Sequence, residues 1–162
     1  MITRVKIADV ATQKESGVLV TVGLGSCVGI VFYDKKNKVA GMAHVLLPDS
    51  SQFNSNKKSP MKFADTALPL MLEEMLKKGA LKKNIVAKIA GGSKLFDFDT
   101  SGGQSGLGVG GKNVLAVKKT LKAMGISLSG EDVGGSFGRS MKLFVDTGLV
   151  EVSSLEGYKK TL

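Results

Sequence analysis

The chain has one cysteine, one histidine, no tryptophan and three prolines among 162 residues. A single cysteine excludes an internal disulfide and fits a reducing compartment. With one residue of each type, a zinc site made of cysteine and histidine is excluded by count. No apolar run approaches the roughly 20 residues that a membrane-spanning helix needs; the longest is Val39–Pro48. The opening residues, MITRVKIADVATQKESG, alternate and carry charges, so they do not read as a signal peptide. The expectation is a soluble, cytoplasmic protein with no direct membrane insertion.

Arginine is scarce as well, which shapes the reading of a net charge of +9. Apart from Arg4 and Arg139 the basic residues are lysines, scattered as pairs such as Lys35–Lys36, Lys77–Lys78 and Lys118–Lys119. The few aromatic residues are not interleaved with them in the pattern that stacks on bases. A solvated lysine surface is therefore expected, with no nucleic-acid partner. Such a surface suits an acidic protein partner by speeding the encounter.

What is present fits one globular domain over residues 1–162, long enough for a single core. Ile2–Val10 alternates like a first strand, and Val18–Val22 reads as a second after a turn at Gln13–Gly17. A helix is expected after Ser59-Pro60, a cap followed by proline at the first helical position, with Pro69 kinking it or leaving a short leading segment. Phe63, Ala67, Leu70, Met71 and Met75 face inward on it, and Gly79 stops it. Ile85–Ala90 is a strand, and a loop over Ser93–Gly111 leads to a helix over Lys112–Met124. On that helix Val114, Leu115, Val117, Leu121 and Met124 are expected inward. Short strands follow at Ile126–Leu128, Met141–Val145 and Leu149–Val152, with a loosely held tail over Glu156–Leu162. Two helices against many strands and consecutive hairpins predict an α+β layered sandwich of mainly antiparallel β-sheet.

Two glycine-rich stretches resemble phosphate loops and fall short. Gly106–Asn113 has P-loop spacing, but Asn113 stands where a magnesium-binding Ser or Thr belongs, and no strand leads into it. Gly23-x-Gly25 lacks the third glycine of a dinucleotide fingerprint. No cofactor is expected.

The chemistry concentrates in Thr21–Pro48, TVGLGSCVGIVFYDKKNKVAGMAHVLLP, which holds Cys27 and His44 seventeen positions apart. Lone residues of these types are most often buried core. Here they lie at the inner ends of two apolar runs joined by DKKNK, which read as a hairpin. If Tyr33 pairs with Lys38, Cys27 falls opposite His44 on one face. If Asp34 pairs with Lys38, Val28 takes that place and Cys27 turns to the other face. The first register allows a thiolate–imidazolium pair, whose cysteine should react early with alkylating agents. The glycines before Cys27 free backbone N–H groups to line an oxyanion hole. Thr21, six residues before Cys27, could hydrogen-bond the imidazole or simply be a good strand residue.

GLGSCVGIVFYD and GMAHVLLP resemble the signature of the chemoreceptor glutamine deamidases of bacterial chemotaxis, the CheD family. The resemblance extends through KFADTALPLMLEEMLKKGA, AKIAGGSKLFDF, VGGKNVLAV and DVGGSFGRSMKLFVDTG, nearly the whole chain. It implies that Cys27 is the nucleophile, His44 its base and Thr21 the residue orienting His44. It implies a fold similar to the catalytic domain of the deamidating cytotoxic necrotizing toxins. The implied substrate is glutamine on the cytoplasmic helical region of chemoreceptors, with receptor methyl esters as a chemically easier second target. A CheC-type phosphatase is the implied second partner, and a non-catalytic module regulating that phosphatase is the competing reading. Lys112 departs from the family's usual arginine, keeping charge but losing a planar fork. The DVGGSFGR block is assigned no chemical step; it could be purely structural, with Arg139 pairing an aspartate.

Overall fold

The computed structural model describes residues 1–52, 59–95 and 108–162. The strands are β1 Ile2–Arg4, β2 Asp9–Lys14, β3 Val18–Leu24, β4 Val28–Asp34, β5 Val39–Val45, β6 Ile85–Gly91, β7 Ser127–Val133, β8 Arg139–Phe144, β9 Val150–Ser153 and β10 Lys159–Thr161. The two α-helices are α1 Ala64–Lys77 and α2 Gly108–Met124. One sheet has the order β1-β3-β8-β9-β10 and the other β2-β5-β4-β6-β7. Both are mixed and mostly antiparallel, with β1–β3 and β6–β7 the parallel pairs.

Alternation along β4 and β5 explains the layering. Val28, Ile30, Phe32, Val39, Ala43 and Val45 pack with residues of α1 and α2. Val31, Tyr33, Ala40 and Met42 instead join Leu19, Met141, Leu143 and Val152 of the other sheet. Helices thus cover one face of the β4–β5 sheet and the second sheet covers the other. Every residue of β4 and β5 is buried as a result, which is why these strands read as unbroken apolar runs. The α+β layered arrangement is the one expected.

The ends of elements differ more. The first run is not one strand. The chain leaves one sheet after Arg4 and enters the other at Asp9, with Val5 buried and Ala8 at φ 59 in the crossing. The tail is not loose: β10 pairs with β9, and Leu162 N–H donates to Val150 O at 3.0 Å. Ser59 caps a 3-10 turn at Pro60–Lys62, the short leading segment, and Pro69 lies inside α1. Gly79 and Gly125, at φ 101 and 71, close α1 and α2 as expected. α2 begins earlier than expected, so Gly108, Gly110 and Gly111 belong to the helix and not to a preceding turn. Leu115 faces outward, 55 % exposed, and the buried stripe instead includes Asn113. The remainder of the near P-loop, Gly106-Leu107, lies outside the described residues.

The hairpin takes neither expected register. Asp34 pairs with Val39, and the loop is Lys35–Lys38, ending with Lys38 at φ 51. The cause is Asp34 itself, which is buried. Its carboxylate accepts the backbone N–H of Asn37 at 3.0 Å, the Asn37 side-chain amide at 2.9 Å and the Leu81 N–H at 2.9 Å. Burial alone would raise this carboxyl's pKa, but those bonds hold it below the usual range. An aspartate bonded so to the residue three ahead starts the turn after itself.

Candidate active site

With Asp34 opposite Val39, Gly29 falls opposite His44 and Val28 opposite Val45. Cys27, just outside β4, is therefore one diagonal step from His44 instead of directly across. Diagonal neighbours lie about 7–8 Å apart at the backbone and stay within reach of longer side chains. The two-residue period keeps Cys27 on the side of Gly29 and His44, the layer between the sheets, where Cys27 packs with Leu24, Val31 and Met141.

Thr21 enters the same layer from β3 in the facing sheet. Its Oγ1 lies 2.7 Å from His44 Nδ1 and donates to Val5 O at 2.7 Å. A threonine hydroxyl has one proton. Since that proton goes to Val5, Thr21 is the acceptor toward the ring, and Nδ1 carries the imidazole proton. Nε2 then holds a bare lone pair, and it is buried with no hydrogen-bond partner among the described residues. The three residues picked out from sequence thus gather in one layer, with Thr21 and His44 in direct contact.

Burial acts on the two candidate groups in a direction opposite to an ion pair. Burial pushes His44 down from 6.5 to about 4. Burial also pushes the Cys27 thiol up from 9.0, against a smaller downward pull from its own backbone N–H. Desolvation favours the uncharged form of each group. Burial therefore favours a thiol at Cys27 and a neutral imidazole at His44.

The loop carrying Cys27 is held from outside. Gly23 adopts φ 73 where the β3–β8 ladder shifts register, and Gly25 N–H donates to Gly23 O at 3.1 Å. The end of β6 grips the same loop, with Gly92 N–H donating to Cys27 O and Ser93 N–H to Gly25 O, each at 2.8 Å. A Cβ on Gly91 would lie 2.3 Å from Cys27 O, so only glycine permits this approach. Behind it sits Arg139, 4 % exposed, whose Nη1 donates to Ser93 Oγ and Gly134 O, each at 2.8 Å. Its Nε meets Asp132 Oδ2 at 3.3 Å, the structural pairing the sequence allowed, and its guanidinium stacks 4.2 Å from the Phe137 ring centre. A cleft of about 380 Å³ opens beside Gly23, lined by Val22, Phe137, Arg139, Ser140 and Leu155 among others.

Sequence reasoning weighed Asn113 only as a departure from P-loop spacing and not as a residue of this site. Its side-chain nitrogen donates to Ser26 O at 2.9 Å and to Leu46 O at 3.1 Å, one carbonyl beside each chemical residue's segment. The available signal was a polar side chain on the buried stripe of α2, in line with Val117 and Leu121. Among the described residues no group of three or more His, Cys, Asp or Glu side chains gathers as a metal site would require. No helix among them is long and apolar enough to cross a membrane.

A family model described as CheD chemotactic sensory transduction matches residues 46–154. The chain belongs to the CheD family. The probable chemoreceptor glutamine deamidase CheD of Clostridium novyi (strain NT) is 46 % identical over 152 residues, 94 % of this chain and 92 % of that protein. The protein of the same description from Clostridium botulinum (strain Alaska E43 / Type E3) is 48 % identical over 141 residues, 86 % of this chain and 85 % of that protein. That of Caldanaerobacter subterraneus subsp. tengcongensis is 42 % identical over 154 residues, 95 % of this chain and 93 % of that protein. The family model begins after Thr21, Cys27 and His44. A match over 152 of 162 residues must include all three positions. As relatives of this CheD chain, these proteins are named for a glutamine amidohydrolase activity.

Proposed function

We propose that this CheD chain hydrolyses glutamine side-chain amides on the cytoplasmic helical region of chemoreceptors, with Cys27 as nucleophile, His44 as acid–base and Thr21 as the residue orienting His44. The observation that carries the reading is the hydroxyl at Thr21, which by spending its one proton on Val5 leaves His44 Nε2 bare in the layer that also holds Cys27. As the sulfur attacks the amide carbon, its proton passes to Nε2. Backbone N–H groups beside Cys27, its own included, steady the oxyanion. His44 then gives that proton to the departing nitrogen, ammonia leaves, and a thioester joins Cys27 to the glutamine side chain. Water, losing a proton to His44, adds to the thioester carbonyl. Collapse returns that proton to the sulfur and releases glutamate.

The same route accepts a methyl ester, with methanol leaving in place of ammonia, so receptor methyl-ester hydrolysis is a second activity. The chain works in the cytoplasm as a single domain, shares its layering with the catalytic domain of the deamidating necrotizing toxins, and binds a CheC-type phosphatase as second partner. Incubating a purified receptor fragment with wild type and with Cys27→Ala, and following by mass spectrometry the gain that separates Glu from Gln, tests the reading. Conversion by wild type alone is expected. Intact glutamines after wild-type treatment would defeat the enzyme reading, and equal conversion by both forms would defeat the nucleophile assignment.

A further inference from the structure

The segments bearing Cys27 and His44 part company just where the chemistry is needed. The last ladder pair between β4 and β5 is Val28 with Val45. Beyond it the carbonyls of Ser26 and Leu46 have no rung to join. Asn113 supplies one, since the two protons of its side-chain nitrogen go to Ser26 O at 2.9 Å and Leu46 O at 3.1 Å. Only the amide's NH2 end can donate to two carbonyls, so the orientation of the group is fixed. Asn113 is fully buried, and its Oδ1 has no partner among the described residues. A buried acceptor left unpaired is a cost that an apolar residue on this helix stripe would avoid. The gain lies in the two donations, which join residues 87 and 67 positions away in sequence.

The reach of Asn113 depends on a close approach. A Cβ on Gly92 would fall 2.2 Å from Val114 Cγ2, and one on Gly110 would fall 2.4 Å from Ser93 O. The first turns of α2 therefore rest directly on the end of β6, the same end that holds Cys27 O and Gly25 O. We infer that Asn113 is a positioning residue for the deamidation reaction, acting as a cross-link that sets the separation of Cys27 from His44. This rests on the proposed roles of those two residues.

The test measures kcat and KM for receptor-fragment deamidation in wild type, Asn113→Ala, Asn113→Asp, His44→Ala and the double variant His44→Ala/Asn113→Ala, with melting followed by circular dichroism. Misplacement by about 1 Å can cost about 100-fold in rate. Asn113→Ala should lower kcat by about 10- to 100-fold with KM nearly unchanged. Asn113→Asp keeps the volume but turns an acceptor toward both carbonyls, so it should lose as much. Once the imidazole is gone there is no separation left to set, and adding Asn113→Ala to His44→Ala should change little. Wild-type kcat in either single variant, a full additional loss in the double variant, or failure of both single variants to fold would overturn the inference. Full activity in His44→Ala would instead remove the reading on which it rests.

Discussion

Thr21 and His44 meet at 2.7 Å across the gap between the two sheets, the hydroxyl oxygen accepting and the ring Nδ1 donating. That direction follows from Val5 O, which takes the hydroxyl proton. The contact favours the tautomer with the proton on Nδ1, as a buried carboxylate does for the histidine of a catalytic triad, but without adding a charge.

Thr21→Val keeps the shape of the side chain and removes the oxygen. His44 Nδ1–H and Val5 O would both lose their partner, and the tautomer with the bare Nε2 would lose its support. We expect kcat to fall by about 100-fold with KM little changed, and stability to fall by about 1–3 kcal/mol. Thr21→Ser should retain most of the activity, having lost only a methyl group worth about 1 kcal/mol. Steady-state kinetics on the two variants check this; equal losses in both would assign Thr21 to packing alone.

His44 offers a second check because it is the one imidazole in the chain. Its ring nitrogens give unambiguous resonances, which should report the Nδ1–H form at neutral pH and no protonation until about pH 4. The linked stability has a definite sign. Above pH 6.5 the ring is neutral in folded and unfolded chains and contributes nothing. As pH falls from 6.5 toward 4 the unfolded chain takes up a proton that the folded one refuses, so stability is lost over that window. The loss is on the order of 3 kcal/mol, and denaturant melts of wild type against His44→Gln should show it as a difference that grows over that window and levels off below it.

Cys27 should behave unlike a preformed thiolate. Burial holds its pKa above 9.0 despite the opposing pull of its own N–H. Alkylation by iodoacetamide should be slow at neutral pH and keep accelerating as pH passes 9. A reaction already at its plateau near pH 7 would mean that the thiolate–imidazolium pair exists at rest after all.

The layering was legible because strands buried on both faces and helices buried on one leave different apolar patterns. The two glycine helix stops were legible for their positive φ. Register was not, since it turned on the Asp34 carboxylate and its bonds to Asn37 and to Leu81, the latter 47 positions away. Such a bond has no local signature. The crossing near Val5, the docking of β10 on β9 and the reach of Asn113 are likewise long-range facts. At the candidate site, residue types pointed to Cys27 and His44, whereas the burial that raises one group and lowers the other is encoded in no motif.

Arg139 shows how far such support extends. Its side chain is 2 % exposed and that of Asp132 11 %, so their 3.3 Å ion pair is shielded from water. Removing one partner of a buried pair strands the other, at about 3–5 kcal/mol. Arg139→Met should therefore destabilise the chain by about that amount. The same change removes the guanidinium's bond to Ser93 Oγ, and the backbone N–H of Ser93 holds Gly25 O in the loop that carries Cys27. Arg139→Lys keeps the charge, but a single ammonium does not reproduce a fork that reaches Asp132, Ser93 and Gly134 at once. It should recover part of the melting temperature and less of kcat, because the ion pair is restored more fully than the hold on Ser93. Melts and deamidation rates for the two variants decide the matter: recovery of both quantities in parallel would show that charge alone is required there.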